Sequence, residues 1–230
     1  MSPSRGGTKD PREFEVHSPT SPHVGSRVEC SAVIAPLDPE ERGRTRLEPA
    51  LEELRARLAA DLDALVAVVG PLNQTQADWK PQPERWSIGE VLHHVILSNR
   101  SFARVVAKLV ERGRREGLSA RPGGRRSWPR LRGIADVTAS GPVKNPERVT
   151  PTHGLPVEEM RRELIESHRA VVSQISDLAG LDLEALHFPH PLGFELNLYQ
   201  WTDIMGAHER RHVYQIQELL TSDGFLSPEP

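Results

Sequence analysis

At 230 residues the chain has room for one domain of ordinary size plus some linker, and a formal net charge of −3 excludes the large positive field that draws proteins onto nucleic acid or anionic lipid. Hydrophobic residues at 37% and charged residues at 27% are near globular averages, whereas 20 prolines and 17 glycines exceed what a compact helical domain uses, so part of the chain is linker. The single cysteine, Cys30, excludes a disulfide framework and a cysteine-based zinc site; with no run near the roughly 18 apolar residues of a membrane span and no signal-peptide pattern, the expectation is a cytoplasmic protein without a membrane partner.

Residues 1–46 are polar and broken by Pro and Gly, with only the short Ser31–Leu37 patch to bury, and are expected to be a disordered extension. The first helical signal opens near Glu48-Pro49, where proline is tolerated in the first turn, and places Leu51, Leu54, Leu58, Leu62, Leu65 and Val69 at spacings of three and four. Gly70-Pro71 ends it. Ser87-Ile88-Gly89-Glu90 matches the S-x-x-E capping box and starts a second helix, whose stripe is Ile88, Val91, Leu92, Val95, Phe102, Val106 and Leu109. From about Gly113 to Gly154 a long connection rich in Arg, Gly and Pro follows, anchored by Trp128, Leu131 and Ile134.

A third helix is expected from about Pro156 to Leu178 and a fourth from about Leu198 to Thr221, closed by Gly224. Four amphipathic helices without a convincing alternating strand predict an all-α four-helix bundle over residues 47–224, with 225–230 as a C-terminal tail. The Arg-rich segment Arg112 to Arg132 reads as a solvated loop and not as a nucleic-acid contact, given the acidic balance elsewhere.

His208 and His212 lie four residues apart, so on a helix both imidazoles face one side a turn apart and can reach a single ion. Both share the apolar stripe of Trp201, Met205 and Leu219, where two buried histidines are costly unless something binds them. On the second helix His94 lies about 100° from the mean core direction and His93 about 160° away, so His94 sits at the core margin and His93 faces solvent or a loop. His168 falls on its helix stripe and is read as a hydrogen-bonded core histidine ahead of a fourth ligand. His187 and His190 occupy the loop before the last helix, where they could line the mouth of a site; Glu209 is read as an outward or supporting residue, because the spacing is not that of H-E-x-x-H, and Glu90 as a helix cap.

The stretch ADWKPQPERWSIGEVLHHV and the later HPLGFELNLYQWTDIMGAHERRHVYQIQEL together resemble the DinB-like family of metal-binding four-helix bundles. The matching elements are Trp86 to Glu90 with a histidine soon after, Pro191, Gly193, Trp201, and His208 and His212 before Gln215-Ile216, across about Leu47 to Leu220. The resemblance implies one divalent transition metal, zinc or nickel, on His94, His208 and His212, with a position left for a small molecule. It further implies transfer of a low-molecular-weight thiol such as mycothiol or bacillithiol to an electrophile, with metal-dependent hydrolysis as one alternative and a non-enzymatic, dimerising stress-response binder as another. The partner expected is a small thiol or other small substrate, with a homodimer left open. The N-terminal extension and the Arg-rich connection depart from the family pattern.

Overall fold

The computed structural model describes residues 47–120, 146–191 and 193–226. The proposed N-terminal extension, most of the Arg-rich connection with Trp128, Leu131 and Ile134, and the last four residues lie outside them. The order is α1 (Pro49–Val69), a short α2 (Gln74–Asp78), α3 (Ile88–Arg115), α4 (Val157–Val172), β1 (His187–Pro189), β2 (Glu195–Asn197) and α5 (Leu198–Leu220). Four long helices therefore carry the fold, as the periodicity predicts, and no described helix is long and apolar enough to cross a membrane.

Three of the helix starts, those of α2, α3 and α5, are set by side-chain caps. Ser87 Oγ accepts from Glu90 N–H at 3.2 Å while Ser87 N–H donates to Glu90 Oε2 at 2.8 Å, completing the capping box that begins α3. Burial pushes the Glu90 carboxyl up, but the Ser87 N–H and the Lys80 ammonium outweigh it and hold the group below its ordinary value. Asn73 with Gln76 and Asn197 with Gln200 repeat the device at α2 and α5, with Asn in the serine position. At the far end of α1 the Arg161 guanidinium donates to the carbonyls of Val69 and Leu72, satisfying acceptors the helix leaves open and tying α4 to α1.

Four features differ from the sequence expectation. α2 is one turn long, too short for periodicity to show. The connection before α5 contains an antiparallel hairpin in which His187 pairs with Asn197 and Phe188 with Leu196; strands of three residues give almost no alternation to read. The regular part of α4 stops at Val172 and tightens into a 3-10 segment, Ser173–Leu178, which still buries Ile175 and Leu178. α3 also runs to Arg115, through the start of the Arg/Gly run, because Gly113 is buried where a Cβ would lie 2.7 Å from a Leu186 methyl. The arginines at that end meet acids, Arg112 with Glu116 and Arg114 with Asp177. The residues following α5 are packed, with Phe225 edge-on to Trp79 at 5.3 Å.

The interior consists of two apolar clusters with a polar layer between them. One is built around Leu51, Leu54, Leu58, Phe102, Leu178, Trp201 and Met205, the other around Leu65, Ile88, Val91, Met160, Leu164 and Ile216. Along every long helix the change from one cluster to the other passes a buried polar residue: Asp61 on α1, Asn99 on α3, His168 on α4, and His208 with Glu209 on α5. α1 and α5 close on each other at Gly206, where a Cβ would collide with the Asp61 carboxylate and lie 2.8 Å from a Leu58 methyl. Asp61 in turn accepts from Arg210. Gly206→Ala is expected to lower stability by about 1–3 kcal/mol, although alanine has the higher helix propensity, because overpacking and disturbance of the Asp61–Arg210 pair exceed the roughly 1 kcal/mol propensity gain; urea denaturation of both proteins checks this.

Candidate metal centre

α3 contributes His94 and α5 contributes His208 and His212, all three buried and each offering one ring nitrogen within 4.8 Å of the others. His208 Nε2 lies 3.2 Å from His94 Nε2 and 3.2 Å from His212 Nε2. The i, i+4 spacing on α5 puts its two rings 4.4 Å apart, and the α3–α5 packing brings His94 to about 5 Å from each. The structure thus joins His94 to the pair and leaves out its neighbour: His93 is half-buried and accepts from Thr152 N–H through Nδ1 at 2.8 Å, facing a loop as helical phase predicts.

The outer nitrogens decide what the inner ones can do. His94 Nδ1 lies 2.8 Å from the Val149 carbonyl, which can only accept, so the ring proton sits on Nδ1 and Nε2 presents its lone pair inward. His212 is oriented in the same way by Gln215 Oε1 at 2.8 Å from its Nδ1. His208 Nδ1 is buried with no partner among the described residues. A proton on His208 Nε2 could bridge to one of the two facing lone pairs and would leave the other unsatisfied in the interior. A cation accepts from all three, so this donor set suits a metal ion.

Electrostatics keep the rings neutral, the form that coordinates. Burial pushes His208 well below its usual value, with His212, His94 and Arg211 adding repulsion. Burial also brings His212 down to about 3, again with His94 nearby, and lowers His94 against the opposing hydrogen bond that its Nδ1 donates to the Val149 carbonyl. Aromatic rings wall the cluster: Trp86 lies 5.0 Å from His94 and Phe102 5.6 Å from His208, edge-on. Trp201 continues that wall 6.1 Å from Phe102, and His190, held near pKa 4 by burial and by Arg148, packs 5.4 Å from Trp201. His190 is therefore on the hairpin beside the aromatic wall, while His187 is exposed.

His168 does not join the cluster. Its Nδ1 lies 3.1 Å from each oxygen of Glu209, and Asn99 Nδ2 donates to the same carboxylate at 2.8 Å, so it is the hydrogen-bonded core histidine that its position on the stripe predicts. Glu209 is wholly buried and supports the interior; it does not face outward. Sequence reasoning missed the Val149 carbonyl, which reaches the site from the 3-10 turn Glu147–Val149 inside the long connection and carries no side-chain signal. Asn99 had a signal, being a polar residue between the apolar positions of α3.

An all-α bundle in which three histidines from two helices converge, close enough that they could hold a metal ion, is the class of protein that fold and site define. The chain belongs to the DinB superfamily, whose family model matches residues 57–216. It is also similar to the uncharacterized protein YuaE of Bacillus subtilis (strain 168), 28% identical over 149 residues that cover 64% of this chain and 85% of the relative. No solved structure matches the chain.

A histidine held below its unfolded value takes up protons on unfolding, so its contribution is fully present above the unfolded pKa near 6.5 and is lost as pH falls toward the folded value. The metal-free protein is therefore expected to lose melting temperature steadily from pH 7 to pH 5, before most carboxylates titrate. His208→Asn with His212→Asn should flatten that slope, which calorimetry across the pH range measures.

Proposed function

We propose that His94, His208 and His212 bind one divalent transition metal, zinc or nickel, and that the protein transfers a low-molecular-weight thiol to a small electrophile. The single observation that carries the metal assignment is the convergence of three neutral Nε2 atoms, two of them with their protons fixed on the far side of the ring. Lewis acidity is what the metal supplies when bound, lowering the pKa of a thiol so that it reacts as the better nucleophile.

The choice of thiol transfer over hydrolysis is supported by what stands near the histidines. A metal on three imidazoles would acidify a bound water as it would a thiol, but hydrolysis of esters and amides commonly uses a general base beside that water as well. Glu209, next to His208 in the chain, has its carboxylate engaged by Asn99 and His168 in the interior. A thiol needs no such base once its proton is lost, and the wall of Trp86, Phe102 and Trp201 suits the apolar body of an electrophile. Val149 and Gln215 fix the His94 and His212 rings; with a metal held there, a thiol would lose its proton to solvent, and its sulfur would bond to the electrophilic carbon as the leaving group departs with its electron pair.

Elemental analysis of purified protein should give about one transition metal per chain, and His94→Ala, His208→Ala or His212→Ala should each abolish it. Metal-loaded protein should then conjugate a small thiol such as bacillithiol or mycothiol to an activated aryl halide. Turnover of esters or amides without conjugation would replace this reading with a hydrolase, and tight ligand binding without turnover would replace it with a binding module.

A further inference from the structure

Four carboxylates on the described helices are buried, and three of them have an arginine or lysine partner: Asp61 with Arg210, Asp203 with Arg57, and Glu90 with Lys80. Glu209 is the exception. At 0% exposure it is the most deeply buried of the four, and its partners are the Asn99 amide and the His168 ring, an ion-pair partner only when that imidazole is protonated. Asn99 Oδ1 and His168 Nε2 are themselves buried without partners among the described residues, so the network around this carboxylate is incompletely satisfied. A buried carboxylate without a permanent cation beside it is expensive and adds little to folding by itself.

Its placement is informative. Glu209 follows His208 directly on α5, and Asn99 lies five residues beyond His94 on α3, so the carboxylate is fastened to the same two helices that carry the three-histidine cluster. Imidazole coordinates a metal in its neutral form, so the three rings of the cluster supply no negative charge against the two positive charges of a divalent ion in a low-dielectric interior. We propose that Glu209 is the counter-charge of the metal centre, a positioning residue that Asn99 and His168 hold inside the bundle so that its negative charge favours the loaded state. The inference rests on the metal-binding reading of the three histidines. It gives Glu209 a role distinct from that of a ligand or a base: its charge is used, while its oxygens stay bonded to Asn99 and His168.

Two variants separate charge from shape. Glu209→Gln keeps the size and removes the charge; Glu209→Asp keeps the charge and shortens the reach to Asn99 and His168. Zinc affinity of the full chain is measured by competition with a chromogenic chelator, and the melting temperature of the metal-free form by calorimetry. Wild-type zinc binding is measured first, and its absence would defeat the metal-centre reading and not this inference in particular. The expected result is a Kd raised at least tenfold in Glu209→Gln, within the 10–100-fold range usual for groups supporting metal ligands, with Glu209→Asp within about threefold of wild type despite a lower melting temperature. Any other pattern in folded variants overturns the proposal, including unchanged affinity in Glu209→Gln with a lower melting temperature, the mark of a purely structural clamp. If Glu209→Gln does not fold, Glu209→Asp decides alone: affinity near wild type upholds the charge role, and a tenfold loss contradicts it.

Discussion

Three imidazole nitrogens face one another inside a helical bundle, and the cost of that arrangement shapes much else in the structure. At 3.2 Å the inward Nε2 atoms of His94 and His212 each confront His208, and the protons that could relieve them are committed to Val149 and Gln215 on the opposite ring edges. Unsatisfied lone pairs in the interior cost on the order of 1–3 kcal/mol each, a cost that an ion shared by the three rings, as proposed, would offset.

The rest of the bundle keeps those rings in place. Apolar packing on either side, around Leu54 and Trp201 at one end and Ile88 and Leu164 at the other, supplies the burial that stabilises the helices and leaves the middle layer to polar residues. Gly206 lets α1 approach α5 two residues before His208, and the Asp61–Arg210 and Arg57–Asp203 pairs fasten the same two helices. The capping boxes at Ser87 and Asn197 fix where α3 and α5 begin, and with them the phase at which each histidine meets the interior. Local sequence, packing and site geometry are thus one chain of dependence: moving a helix start by one residue would rotate its histidines by about 100°.

Helix-forming periodicity made α1, α3 and α5 readable to within a residue or two, because their stripes are long and their starts carry Pro49 or Ser87 as signals. The separation of His94 from His93 was also readable, since a 100° step places only one of the two near the core. What could not be read was contributed by backbone or by partners distant in sequence. The Val149 carbonyl belongs to a turn 55 residues from His94, and the Glu209 carboxylate meets Asn99 and His168 only when three helices pack together. The hairpin before α5 escaped because its strands are three residues long and its register depends on pairing and not on pattern.

Three imidazoles sharing one ion would explain why three histidines converge in this polar layer, and X-ray absorption of the metal-loaded protein tests that sharing most directly. A first shell with three imidazole nitrogens at about 2.0–2.1 Å, with the outer-ring scattering typical of histidine, is the predicted result for zinc. A shell dominated by oxygen, or one that retains three imidazoles when His94 is replaced by alanine, would contradict it.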